Sequence, residues 1–215
     1  ERLLGSYNEA VENWLDFFAY TEFIDRDGKY QLQMLSTSGF SPLSRSMKPM
    51  LKEESYHLGT GNNGLLRIIK AGKIPIPIMQ RYFNKWVSTA FDLFGTDQSS
   101  SAQWAYTWGL KGWFDERTNP QPADPAALNE AARELYRQEV QGLIDRLNTY
   151  VSPDDEKLII PDIKFNRRIG RYKKQTFTIH GEPLEPEKYK AYVESVLPTA
   201  EDREVLRNIF KENDW

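Results

Sequence analysis

The chain has 215 residues, 31 acidic against 28 basic side chains, no cysteine and two histidines. That length can bury a real core, and the slight acidic excess argues against a nucleic-acid binder. Without cysteine there are no disulfides, thiolate zinc sites or iron–sulfur clusters, and two histidines leave any metal site dependent on carboxylates.

Residues 6–35 read as one long helix, with Val11, Trp14, Leu15, Phe18, Thr21 and Phe23 near a three-and-four spacing. A turn cluster at 36–40 precedes Ser41-Pro42, where serine as cap and proline at the first position start a second helix. That helix is expected to reach Ala71 and stop at Gly72, kinked at Pro49 and loosened by Gly59, Gly61 and Gly64. Ile74-Pro75-Ile76-Pro77 is an extended connector. A third helix follows over 77–94, ended by Gly95, and a shorter one over 99–111. Trp104, Tyr106, Trp108, Trp113 and Phe114 are read as core, with a lining role in an acyl pocket as the alternative. Residues 117–123 form a polar linker and 125–150 a strong amphipathic helix. Beyond Val151, Leu158–Pro161 and Gln175–Ile179 look like short strands, followed by a turn at 180–183 and helices over 185–196 and 199–212. The expected organisation is a helical body over 1–116, a linker and long helix over 117–152, and an irregular α/β appendage over 153–215. The chain opens on Glu1 rather than methionine and reads as a piece of a longer protein. No stretch approaches a membrane span, so the protein is expected to be cytoplasmic, with no membrane or nucleic-acid partner.

Glu54 and His57 form a Glu-x-x-His pattern inside the second helix, and residues three apart share a face. Taken alone the pattern is unspecific, and a surface glutamate beside a half-buried histidine would look the same. Position strengthens it. If the first two helices form a hairpin turning near Gly39, facing residue numbers sum to about 79. Asp25 then faces Glu54, and Glu22 faces His57. Three acids and an imidazole at one height would be costly without a cation. Oxygen and nitrogen donors without cysteine suit iron or manganese. The alternative is that Glu22 and Asp25 are solvated or pair with Arg26 and Lys29. Glu53 is a candidate partner for a metal-bound histidine, or simply an exposed glutamate.

Two stretches, Phe23-Ile-Asp25-Arg-Asp-Gly-Lys-Tyr30 and Met50-Leu-Lys-Glu-Glu54-Ser-Tyr-His57-Leu-Gly, resemble the oxygenase components of the benzoyl-CoA 2,3-epoxidase family. More distantly, the chain is similar to the catalytic subunit of phenylacetyl-CoA epoxidase. The resemblance covers most of the chain, including Arg171–Pro183. It implies part of a ferritin-like helical bundle and a di-iron monooxygenase using O2 to epoxidise the ring of benzoyl-CoA. It also implies a separate NADPH-dependent flavin and iron–sulfur reductase as electron donor. Under it, Asp25, Glu54 and His57 are iron ligands, with Glu22 and Glu53 as additional or supporting groups. A complete family site needs a second Glu-x-x-His, whereas His180, the other histidine, has Phe177 three positions before it. The chain is therefore expected to hold half of the ligands. Arg167, Arg168, Arg171, Lys173 and Lys174 are candidates for the CoA phosphates, the alternative being a solvated loop. Arg45, Lys48 and Lys52 form a second basic face. The stretch Gly59–Gly64 is read as thin-walled helix through which a ring or O2 could approach, or as close helix packing. Two other readings stay open: an oxygenase for another aromatic acyl-CoA, and a metal-free helical interaction protein.

Overall fold

A computed structural model describes residues 8–112 and 127–211. The described chain is helical: α1 (Trp14–Ser36), α2 (Ser41–Ala71), α3 (Ile76–Leu93), α4 (Ser100–Thr107), α5 (Leu128–Asn148), α6 (Pro186–Val196) and α7 (Ala200–Lys211). The linker expected at 117–123, with Trp113 and Phe114, lies outside the described residues.

The helix bounds have local causes. α1 begins eight residues later than the hydrophobic spacing suggested, because Asn13 caps it by accepting from the Asp16 amide at 2.9 Å. Asp16 in the first turn is fully buried and accepts from Trp86 Nε1 at 2.6 Å and Lys85 Nζ at 2.9 Å. A carboxylate there also meets the positive end of the helix dipole. α2 runs unbroken through Pro49 and stops at Gly72, whose φ of 63° is the left-handed conformation that ends helices.

α1 is the central element. One side carries Leu15, Ala19, Phe23 and Tyr30 into a core shared with Tyr82, Phe83, Trp86 and Phe91 of α3 and with Tyr136, Val140 and Ile144 of α5. Phe23 meets Phe83 edge-on with ring centres 4.9 Å apart, and Tyr30 meets Tyr136 at 6.4 Å. The other side of α1 packs on α2. That helix buries only Met47, Gly61, Gly64, Leu65 and Ile69, so most of its first half stands open. α5 belongs to the same core as α1 and α3, and its start is fastened by Asp97, which accepts from the Asn129 and Glu130 amides at 3.0 Å each.

Two expectations are corrected. No strand occurs among the described residues. The segments read as strands make one isolated bridge, Phe177–Pro183. In the first segment side chains take the place of a partner strand: the Ile159 amide donates to Gln80 Oε1 at 2.8 Å and the Leu158 amide to Asn148 Oδ1 at 2.8 Å. The tail is thus irregular and helical rather than α/β. The second correction concerns Trp104 and Trp108, which are 62% and 69% exposed rather than core. α4 lasts only eight residues and buries Ala102 alone. Tyr106 instead bonds Asp97. No helix among the described residues is long and apolar enough to cross a membrane.

Candidate metal centre

α1 and α2 run antiparallel, and the facing pairs Phe18–Gly64, Glu22–Gly61, Asp25–His57 and Gly28–Glu54 fix their register. Those numbers sum to about 82, one helical turn beyond the register expected from the turn alone. Asp25 therefore faces His57, and Glu22 faces Gly61 rather than His57. The cause lies at the glycines. A Cβ on Gly61 would sit 2.8 Å from the Glu22 nitrogen and 2.9 Å from its Cα, and one on Gly64 would strike the Phe18 ring at 2.2 Å. Gly61 lets the helix backbones touch and Gly64 makes room for the Phe18 ring, so close packing accounts for both. Gly59 differs: a Cβ there would meet nothing within 4 Å.

The shifted register still brings Asp25, Glu54 and His57 together. One donor atom from each lies within 4.8 Å of the others. His57 Nδ1 is 3.5 Å from Asp25 Oδ2 and 3.5 Å from Glu54 Oε2, too long for a good hydrogen bond. Glu54 Oε2 is buried and accepts no hydrogen bond. Burial, and then the neighbouring Glu54 charge, push the Asp25 carboxyl up to about 6. Burial likewise raises Glu54, with His57 opposing and Glu53 adding to the rise. Gly28 leaves room for the Glu54 carboxylate, since a Cβ there would lie 3.1 Å from Oε1. The histidine side chain is 55% exposed, so the group opens outward from the α1–α2 pair.

Glu22 is fully buried one turn away. Its Oε1 accepts from Arg26 Nε at 3.1 Å and from a second Arg26 nitrogen, while Oε2 is buried without a partner. Burial raises its carboxyl to about 7 against the pull of Arg26. Arg26 also bonds Glu139 of α5, which accepts from Lys29 Nζ at 2.9 Å and Tyr30 Oη at 2.6 Å. Arg26, Lys29, Gln33, Glu54 and Glu139 line a cleft of about 470 Å³ beside the centre. Glu139 had no sequence signal, because its partners lie more than a hundred residues away. Glu53 is exposed.

The basic run is divided. Arg167 is buried and committed to the fold, donating to Asp92 Oδ1 at 2.7 Å and to the carbonyls of Phe91 and Ile163. Arg168 is exposed and pairs with Glu9. Arg171, Lys173 and Lys174 are exposed, and Lys174 holds a left-handed φ of 67°.

Two carboxylates and an imidazole on facing helices form a donor set for a divalent first-row metal. The unpartnered Glu54 oxygen is the kind of buried acceptor a cation would satisfy. No family model matches the chain. Over 247 aligned positions covering 94% of this chain, it is 32% identical to benzoyl-CoA oxygenase component B of Aromatoleum evansii. The match takes in 52% of that protein, so the chain spans about half of its relative's length. Over nearly its whole length, then, this chain is similar to benzoyl-CoA oxygenase component B.

Proposed function

We propose that the chain supplies Asp25, Glu54 and His57 to a di-iron centre of ferritin-like type, in a cytoplasmic oxygenase component. That component inserts one oxygen atom of O2 into the ring of benzoyl-CoA as an epoxide, with electrons from an NADPH-dependent flavin and iron–sulfur reductase. The observation that carries this reading is the convergence of the three donor atoms within 4.8 Å, joined to the relationship with an oxygenase.

The chemistry that iron contributes when bound is transfer of electrons to O2. The rest falls to the protein. Asp25 and Glu54 bring negative charge into a partly buried cleft, where burial alone would favour their protonated forms. His57 adds a nitrogen donor without adding charge. The space left by Gly28 lets the Glu54 carboxylate change its angle as the charge opposite it changes. Arg26 holds one oxygen of Glu22 and leaves the other bare, which makes Glu22 a supporting carboxylate one turn from the centre. The outward opening at His57 admits the further ligands that a two-metal site needs.

The test is cobalt(II) or iron(II) titration of the whole chain against His57→Ala and Asp25→Asn. His57 is half exposed, so its loss should leave the far-ultraviolet spectrum unchanged while affinity falls by about a hundredfold, as when a site loses a group that shapes it. Unchanged metal affinity in both variants would remove these residues from the centre. Product analysis with benzoyl-CoA and a panel of other aromatic acyl-CoAs, in the protein that includes this chain, separates the ring substrates.

A further inference from the structure

The centre opens onto a face of the α1–α2 pair that nothing among the described residues covers. On α2, Ser46, Met50, Glu53, His57, Thr60 and Gly64 recur at alternating steps of three and four, the spacing at which one helix seats on another. All but Gly64 are exposed. On α1, Trp14 stands three turns before Asp25, hence on the same side, and is 59% exposed. Trp14, Thr60 and Gly64 border one groove of about 970 Å³, so the two helices share a single concave face. At the α1–α2 turn, Phe40 is 55% exposed.

A two-metal carboxylate centre in a four-helix bundle draws a lone acid from each of two helices and a Glu-x-x-His pair from each of the other two. Here α1 gives the lone acid, Asp25, and α2 gives Glu54 and His57. One two-fold rotation doubles that set. A two-fold interface must also be complementary to itself, and this face is. Let two α2 helices meet antiparallel, with facing residue numbers that sum to about 110 and the axis at Ser55. Glu53 then faces the partner's His57, Met50 the partner's Thr60, and Ser46 the partner's Gly64. An acid meets an imidazole, and each larger side chain meets a smaller one. Trp14 is level with Ile68 in the α1–α2 register, which brings it to the far turn, beside the partner's Phe40. Glu54, His57 and Asp25 all sit within two residues of the axis, about 3 Å along the helix, so the two donor sets adjoin. We propose that a second copy of this chain covers the open face and completes the centre with its own Asp25, Glu54 and His57. This rests on the metal reading above.

The experiment is sedimentation equilibrium and cobalt(II) titration on the whole chain. Mass should double as cobalt is added, at one cobalt per chain. Because two chains and two ions assemble together, a hundredfold rise in chain concentration should lower the half-saturating cobalt about tenfold. Thr60→Arg sets a charged side chain against the partner's Met50 and should hold the chain monomeric with weakened cobalt binding. Trp14→Ser, about 16 Å along α1 from Asp25, should weaken cobalt binding through association alone, and both variants should keep the wild-type far-ultraviolet spectrum. A monomer that binds cobalt equally well at every chain concentration would overturn the proposal and leave the centre standing, complete in one copy or covered by a different polypeptide. Dimers that survive both substitutions unchanged would also overturn it, by placing the association on another face. No cobalt binding at any chain concentration would sink the centre itself, and this proposal with it.

Discussion

Replacing Gly61 with alanine should loosen the α1–α2 contact and be felt at the centre. The added methyl carbon would lie 2.8 Å from the Glu22 nitrogen and 2.9 Å from its Cα, both backbone atoms that cannot turn aside. Ordinary contact requires the helices to part by several tenths of an ångström, which costs about 1–3 kcal/mol. Against that, alanine in a helix gains ~1 kcal/mol over glycine. Gly59→Ala separates the two effects, since it receives the same gain with nothing within 4 Å to strike. Urea denaturation should therefore show Gly59→Ala more stable than wild type. Gly61→Ala should be less stable than Gly59→Ala by about 1–3 kcal/mol, the propensity term cancelling between them. Because α2 carries Glu54 and His57 away from Asp25 as it parts, cobalt(II) affinity should fall in Gly61→Ala alone. Equal stabilisation by both substitutions would refute the claim that the Gly61 contact sets the register.

The loop acid Asp97 holds two amides at the start of α5, so Asp97→Ala should lower stability by about 1–2 kcal/mol, read by the same denaturation; no loss would show that α5 needs no such fastening. Burial lowers the Lys111 ammonium to about 8 against the opposing pull of Asp27 and Asp97. The unfolded chain keeps that proton up to about 10.5 while the folded one loses it near 8, so unfolding free energy should rise with pH across that window. Below it both states are protonated and the burial penalty is fully present. Denaturation of wild type and Lys111→Met across pH 7–10 should show the wild type gaining on the variant as pH rises; a constant difference would sink the assignment. Arg133 holds the end of α3 through the Phe91 carbonyl at 3.2 Å. Its replacement by methionine should therefore leave the Phe91 carbonyl to Arg167 alone and take a donor from the Gly95 carbonyl, lowering the melting temperature by several degrees, about 1–3 kcal/mol, and an unchanged melting curve would count against this tie.

Much of the helical order was legible because breakers stand where elements end: Gly72 and Gly95 both take left-handed φ, and the prolines at 75 and 77 bracket the start of α3. The start of α1 was misplaced although Asn13 and Asp16 stand at cap spacing, since the apolar spacing upstream looked equally helical. The three donors could be paired from spacing and a hairpin. Their register could not, because it depends on the backbones meeting at Gly61 and on the Phe18 ring seating against Gly64. A turn-based count assumes that the helices pair evenly from their loop, and the contact at Gly61 sets a different pairing. The exposure of Trp104 and Trp108 was equally hidden, because hydrophobicity says what a residue would prefer and not whether a short helix such as α4 has anything to lean on.

The charged strip joining α1 to α5 carries a consequence for how this chain can diverge. Glu22, Arg26, Glu139 and Lys29, taken in order of contact, alternate in sign, and Arg26 touches both acids. Loss of Arg26 alone would strand Glu22, which is fully buried, and such a broken pair costs about 3–5 kcal/mol. Apolar replacement of Glu22 and Arg26 together could be nearly neutral for folding, while removing the support beside the centre. Drift through single substitutions is thus blocked at these positions, and paired substitutions are open. Among homologous chains, residues 22 and 26 should then vary as a unit, and a lineage that has exchanged both should be one in which the centre has lost its use.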